Sequence, residues 1–221
     1  MIKKVFSTLI LLFFAFVPLF SQQVIWQIKE HDMADPSELE EEISNNMSTG
    51  FIPFGISIGD NRMYVLYLAG PGQKPERWEL KWYRSGDEIR KGMEEELKNG
   101  FVPAGISDAG GMLFILFLKT GDNRYTWTFV PGGLTGEDTV KELTPYLEEA
   151  FLPAGITIIG EIYWTLVVRQ PVEGKGACIV ETYTLEGDIL KEGLARNMGN
   201  GFIPRGMVFR GDKIDLLFVK M

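Results

Sequence analysis

The chain has 221 residues, of which 45% are hydrophobic, so it can bury a sizeable core as one domain or two. Its 22 basic and 30 acidic side chains give a net charge of −8. This balance argues against nucleic acid as a partner, because the phosphate backbone requires a basic protein surface. The single cysteine, Cys178, excludes a disulfide bridge within the chain, so stability must come from packing.

Residues 1–21 have the pattern of a secretory signal peptide. Lys3 and Lys4 provide a charged start, an uncharged apolar run covers residues 5–20, and Ser21 is a small residue at a plausible cleavage point. The run is shorter than the ~20 residues that span a membrane, so an uncleaved membrane anchor is the alternative. This segment predicts export to the periplasm or to the outside of the cell. Its removal takes away two lysines and changes the net charge from −8 to −10.

One short pattern, Phe-x-Pro-x-Gly, occurs four times at intervals of about fifty residues, a period typical of repeat architectures. The linkers between the copies are short and rich in glycine and proline. We therefore expect residues 22–221 to form a single repeat domain of four units, 22–70, 71–121, 122–172 and 173–221. The four copies of the pattern are residues 51–55, 101–105, 151–155 and 202–206.

Each unit is predicted to contain a strand, a helix and two further strands. In the helical segments, apolar residues recur every three or four positions and therefore share one face. Asp35 followed by Pro36 is a typical helix start. Gly50, Gly100 and Gly201 are expected to take the left-handed conformation just after three of the helices. Ala150 stands at this position in the third copy, so a different exit is expected there.

The Phe-x-Pro-x-Gly pattern is expected to begin the second strand or lie at a sheet edge, because proline has no amide hydrogen to donate. Its glycine indicates a β-bulge or a close backbone contact. The third strand is apolar at nearly every position, so both of its faces must be buried, which a single unit cannot achieve. The predicted fold is α+β, a closed or nearly closed pseudo-symmetric array of four strand-helix-strand-strand repeats with the helices outside. The third strands cover residues 63–68, 113–118, 163–168 and 214–219.

Residues 50–53, 100–103 and 201–204 read Gly-Phe-x-Pro, and residues 150–153 keep the phenylalanine and the proline. With an aromatic strand and a helix before it and two strands after it, this layout resembles the tandem repeats of secreted bacterial proteins whose signature is Gly-Tyr-Arg-Pro. Some of those arrays accompany hydrolase domains. An apolar residue precedes the proline in all four copies here, where that family has arginine. The resemblance implies a recognition or accessory module, and no catalytic residue carries over.

Residues 55–59 match the Gly-x-Ser-x-Gly pattern of a hydrolase nucleophile, with Ser57 as the candidate. That pattern needs a histidine later in the chain, but the only histidine, His31, precedes it. The equivalent position holds serine or threonine in the next two copies, so we interpret the match as coincidental. Cys178 is interpreted as a small packed strand residue. The sequence has no paired histidines or cysteines and no calcium loop, so it predicts no catalytic residue, no metal site and no cofactor.

An aromatic residue recurs in the first strand of every unit. One interpretation is a ring of stacking platforms for a sugar or a peptide. The interpretation that we favour is a repeated core residue, since aromatic side chains in strands are usually packed. These residues are Trp26, Trp82, Trp127 and Tyr183.

Three charged residues interrupt apolar columns of the repeat. Asp108 and Asp215 stand where the other copies have large apolar side chains, and Arg205 stands where they have phenylalanine or alanine. Because an unpaired buried charge is costly, each must reach water or meet a partner. The interpretation that we favour places Asp108 in a hairpin turn and makes the fourth unit a terminal cap with a more polar face. The alternative is a binding site in which Arg205 meets an anionic group and Asp215 holds the arginine in place.

Together these features predict an exported, non-catalytic binding or accessory repeat protein of the cell envelope. The expected partner is a protein, a peptide or a glycan of the envelope. Contact with a membrane is expected only through an uncleaved signal segment. The alternatives are a hydrolase of unknown type and a purely structural envelope component.

Overall fold

The computed structural model describes residues 25–69, 74–121, 125–169 and 176–220, and the predicted signal peptide lies outside these ranges. Each range contains a strand, a helix and two strands, which confirms the predicted α+β repeat. None of the helices within these ranges has the length and apolar character that crossing a membrane requires. The elements are β1 (Ile25–Asp32), α1 (Pro36–Ser48), β2 (Ile52–Gly59), β3 (Arg62–Ala69), β4 (Trp78–Tyr83), α2 (Gly86–Lys98), β5 (Phe101–Ala109), β6 (Met112–Lys119), β7 (Thr126–Gly133), α3 (Gly136–Glu148), β8 (Phe151–Ile159), β9 (Ile162–Arg169), β10 (Ala177–Thr184), α4 (Ile189–Gly199), β11 (Ile203–Arg210) and β12 (Lys213–Lys220).

Each unit forms its own three-stranded antiparallel sheet, in which the third strand lies between the first and the second. In the first unit the order is β1-β3-β2, and Trp26 pairs with Leu68. The second and third strands form the predicted hairpin, while the helix connects the first and second strands, which run parallel to each other on opposite edges. The register shifts between Pro53 and Gly55, and it shifts at the same place in the other three units. These shifts confirm the predicted bulge.

The helix boundaries largely follow the sequence signals. The Asp35 side chain caps α1 by accepting hydrogen bonds from two backbone amides of the first turn. After the helices, Gly50 has φ 95° and Ala150 has φ 63°, so both are left-handed. The expectation that the chain leaves the third helix in a different conformation is therefore wrong. The same backbone hydrogen bond forms after both helices: the Gly50 amide donates to the carbonyl of Met47, and the Ala150 amide donates to that of Leu147. At Ala150 this bond stabilises a backbone conformation that alanine otherwise disfavours.

Each helix packs between the sheet of its own unit and the sheet of the next unit. Ile43 of α1 shares an apolar cluster with Val65 of the same unit and Leu116 of the second unit. The helices α2 and α3 pack in the same way, against the third and fourth units respectively. Leu194 of α4 packs with Leu66 of β3, which brings the fourth unit against the first. The adjacent residues Val65 and Leu66 therefore enter different clusters, as the strand with two apolar faces predicts.

The four second strands meet at the centre and close the ring. The strand β2 contacts β5, β5 contacts β8, β8 contacts β11, and β11 contacts β2. Glycine permits this approach, because a Cβ added at Gly105 would lie 2.9 Å from the backbone nitrogen of Ile56. A Cβ at Gly55 would likewise lie 3.2 Å from the Cα of Gly206. The array is thus closed, and the close backbone contact predicted at the repeat glycine is present. The glycines at the centre are Gly55, Gly105, Gly155 and Gly206.

Gly105→Ala should destabilise the protein, because the new methyl group would overlap backbone atoms of the neighbouring strand. We expect the free energy of unfolding of residues 22–221 to fall by about 2–3 kcal/mol in chemical denaturation. Gly59→Ala is the matched control, since a Cβ there meets nothing within 4 Å. The control should change stability by less than about 0.5 kcal/mol. Equal effects of the two substitutions would contradict the close packing of the central strands.

Candidate functional site

A pocket opens where the four central strands begin, and we call it the axial pocket. Its volume is ≈ 190 Å³, and residues from all four units line it. Most of the wall comes from the Phe-x-Pro-x-Gly stretches, so the repeat pattern itself shapes the pocket. The wall is largely apolar. Its main side chains from the central strands are Ile52, Phe54, Val102, Ala104, Leu152 and Ala154.

Arg205 of β11 is the only charged side chain among the described residues that line the axial pocket. Its guanidinium carbon lies 4.9 Å from the centre of the Phe54 ring, which is a cation–π contact. Within the described part of the chain, no hydrogen bond or ion pair satisfies this guanidinium. Burial lowers the pKa of Arg205, since apolar surroundings disfavour the charged form. The pocket therefore presents one positive charge that an anionic group can neutralise.

Thr120 also lines the axial pocket. Its backbone amide donates a hydrogen bond to the carbonyl of Gly100. Its hydroxyl oxygen is buried and has no hydrogen-bond partner among the described residues. This oxygen is covered by protein atoms, so it lies behind the pocket surface and is not presented to a ligand. Thr120 lies just after β6 and does not interrupt an apolar column of the repeat, so the sequence pattern does not single it out.

Asp215 does not contact Arg205, and it lies outside the lining of the axial pocket. Its buried carboxylate accepts two hydrogen bonds from Arg210, with Nε–Oδ2 and Nη2–Oδ1 distances of 2.6 and 3.0 Å. The hydroxyls of Tyr163 and Thr182 also donate to it. The expectation that Asp215 holds Arg205 in place is therefore not met. The carboxylate instead has its own arginine and links the fourth unit to Tyr163 of the third.

Asp108 lies near the end of β5, on the strand itself rather than in the hairpin turn that follows. Its amide donates a hydrogen bond to the hydroxyl of Thr157 at 2.8 Å. The carboxyl group is half-buried, and burial raises the pKa of Asp108. Asp108 comes after its central glycine, Gly105, whereas Arg205 comes before Gly206. The two charges therefore lie toward opposite ends of the central strands, and the structure does not bring the three predicted residues together.

The fourth unit is not a terminal cap. Its central strand β11 contacts β8 on one side and β2 on the other. Its helix α4 packs on β3 of the first unit. A closed ring has no end unit, so a polar cap surface does not explain Arg205 and Asp215.

The serine of the Gly-x-Ser-x-Gly match makes a contact between units. The Ser57 hydroxyl accepts a hydrogen bond from the amide of Phe209 at 3.0 Å and so joins the first unit to the fourth. Ser107 and Thr157 make the equivalent contact with the unit before their own. The fourth residue of this column is Val208, which has no hydroxyl. The junction between the third and fourth units therefore lacks this hydrogen bond.

The other candidate base and nucleophile are buried. His31 is hydrogen-bonded through Nδ1 to Glu42 and through Nε2 to the hydroxyl of Tyr67. Both ring nitrogens thus have partners other than Ser57. Cys178 lies in an apolar cluster, and burial raises the pKa of its thiol to about 11. A raised thiol pKa lowers the reactivity of a cysteine, which fits the interpretation of Cys178 as a packed strand residue.

The four strand aromatics do not line the axial pocket. Trp26 and Trp127 are partly buried against apolar clusters, and Tyr183 is buried, as the core interpretation predicts. Trp82 differs, because it is 53% exposed and has the guanidinium of Arg84 at 5.2 Å from its ring. The core interpretation is therefore wrong for Trp82.

A scan of the chain against protein-family models finds no match, and a search among curated proteins finds none either.

Asp215→Ala should lower the free energy of unfolding by about 2–3 kcal/mol, because it leaves the Tyr163 and Thr182 hydroxyls without their acceptor. Arg210 limits the loss, since its side chain is 46% exposed and can turn toward water. The control is Glu30→Ala, which removes an exposed carboxylate from a surface ion pair and should cost less than about 1 kcal/mol. Urea denaturation measures both effects. An Asp215→Ala variant as stable as the wild type would mean that this network does not stabilise the junction.

Proposed function

We propose that the protein is an exported, non-catalytic binding module of the cell envelope, and that the axial pocket holds an anionic group of its ligand. Arg205 carries the proposal, because its guanidinium is unpaired among the described residues in a largely apolar pocket. A partly buried cation that makes no hydrogen bond or ion pair is unfavourable, so a scaffold with no ligand would be better served by the phenylalanine or alanine of the other copies. A ligand anion would supply the hydrogen bonds that Arg205 lacks.

The export part of the proposal rests on the N-terminal segment, in which two lysines precede the uncharged apolar residues 5–20. The resemblance to secreted tandem repeats supports a recognition or accessory role in the same compartment. The ligand is then to be sought among the anionic proteins, peptides, glycans and smaller molecules of the envelope.

The non-catalytic part of the proposal is supported by the separate contacts of the two residues that a hydrolase would use together. Ser57 accepts a backbone hydrogen bond from Phe209, whereas His31 is bonded to Glu42 and Tyr67. A screen with ester, peptide and glycan substrates tests this part. Turnover that disappears in Ser57→Ala or His31→Ala would contradict it.

Arg205→Ala tests the binding site without knowledge of the ligand. In the absence of ligand, we expect the variant to be as stable as the wild type or more stable, because functional charges are often kept at a cost in stability. Arg90→Ala, which removes an exposed arginine, is the control and should stay within about 0.5 kcal/mol of the wild type. A loss above about 2 kcal/mol in Arg205→Ala would instead indicate a structural role for the guanidinium.

The second measurement is capture of ligand. Immobilised residues 22–221 are exposed to an envelope extract of the source cells, and the bound material is identified by mass spectrometry. We expect the wild type and Arg90→Ala to retain an anionic compound or peptide that Arg205→Ala does not retain. Equal retention by all three proteins would contradict the axial pocket as the binding site.

A further inference from the structure

We infer that the ligand of the axial pocket is a small monocarboxylate with a compact apolar body, of about the size of a benzene ring that carries one carboxylate. This inference rests on the proposed function, since it names the chemical class of the anionic ligand. Three properties of the pocket lead to it: the volume, the chemistry of the wall and the number of charges.

The volume sets the size of the ligand. The axial pocket measures ≈ 190 Å³. An apolar cavity of about 150 Å³ is enough to hold benzene in another protein, so this pocket has room for one ring or one short branched chain together with a carboxylate. A sugar chain or a peptide segment exceeds this volume.

The wall requires an apolar ligand body. Pro75, Pro103 and Pro153 line the pocket and have no amide hydrogen to donate. Side chains such as Ile52 and Leu152 add further apolar surface to the wall. A peptide backbone or a sugar placed here would lose its hydrogen bonds to water and find few replacements. An apolar body, in contrast, gains free energy from burial against these side chains.

The single positive charge of the pocket favours a ligand that carries one carboxylate. Arg205 provides the single positive charge among the described pocket residues, and its planar guanidinium matches a carboxylate through two parallel hydrogen bonds. The chain as a whole carries a net charge of −8, which disfavours ligands with several negative charges.

Benzoate is the probe, titrated into residues 22–221 by isothermal titration calorimetry. For a ligand of this size we expect a Kd between about 10 μM and 1 mM. Arg205→Ala should weaken binding by about 10- to 100-fold, as the strength of charged hydrogen bonds predicts. Arg205→Lys keeps the charge but loses the planar fork, so its affinity should fall between those of Arg205→Ala and the wild type.

One variant and three further compounds serve as controls. Arg90→Ala changes an exposed arginine and should leave the Kd of benzoate unchanged. Benzyl alcohol keeps the ring without the charge, whereas sulfate and phosphate keep the charge without the apolar body. Each of these compounds should bind at least about 10-fold more weakly than benzoate.

The outcomes separate this inference from the function on which it rests. Benzyl alcohol that binds as tightly as benzoate, or benzoate binding that is unchanged in Arg205→Ala, would overturn the carboxylate assignment. Tighter binding of sulfate or phosphate would overturn it in favour of an inorganic anion, with the proposed binding function intact. If benzoate does not bind but the envelope extract still yields a ligand that depends on Arg205, the ligand class is wrong and the binding function stands. If neither is observed, both are wrong.

Discussion

The structure depends on the contact between four glycines at its centre. A Cβ at Gly206 would lie 2.8 Å from the backbone nitrogen of Ile156, so a side chain at this position would push the neighbouring strands apart. Because the strands meet this closely, the four sheets extend outward from a common centre, and each seam between them is closed by one helix. This arrangement buries both faces of every third strand, which no single unit could do.

The ring is regular in its backbone, and its side chains depart from the repeat most clearly in the fourth unit. Val208 lacks the hydroxyl that joins the other neighbouring units, and the hydrogen bond from Tyr163 to Asp215 crosses that same junction. Arg205 lies on the same strand as Val208 and gives the axial pocket its charge. A ring of four identical units would have an apolar pocket with no polar group to distinguish one side from another. One changed residue in one copy is enough to provide a point at which a ligand can be oriented.

The features that could be predicted from the sequence are those that follow from a local pattern repeated four times. They include the order of elements, the helix faces, the bulge at the glycine and the two buried faces of the third strand. Arg210 as the partner of Asp215 could not be predicted, since that ion pair depends on how neighbouring strands align. Ala150 takes a glycine conformation because its backbone hydrogen bond overrides its intrinsic preference. The axial pocket combines residues about fifty positions apart, so only Arg205, a charge in an apolar column, signalled its presence.

The central claim is that the four units share one closed core, and expression of residues 22–121 alone tests it most directly. These residues contain two units. The third strand of each would have one apolar face left uncovered, because the neighbouring unit that packs on that face would be missing. Circular dichroism during heating and analytical ultracentrifugation should show either an unfolded or aggregated chain, or a dimer that restores four units. A soluble monomer of residues 22–121 that melts cooperatively would contradict the shared core.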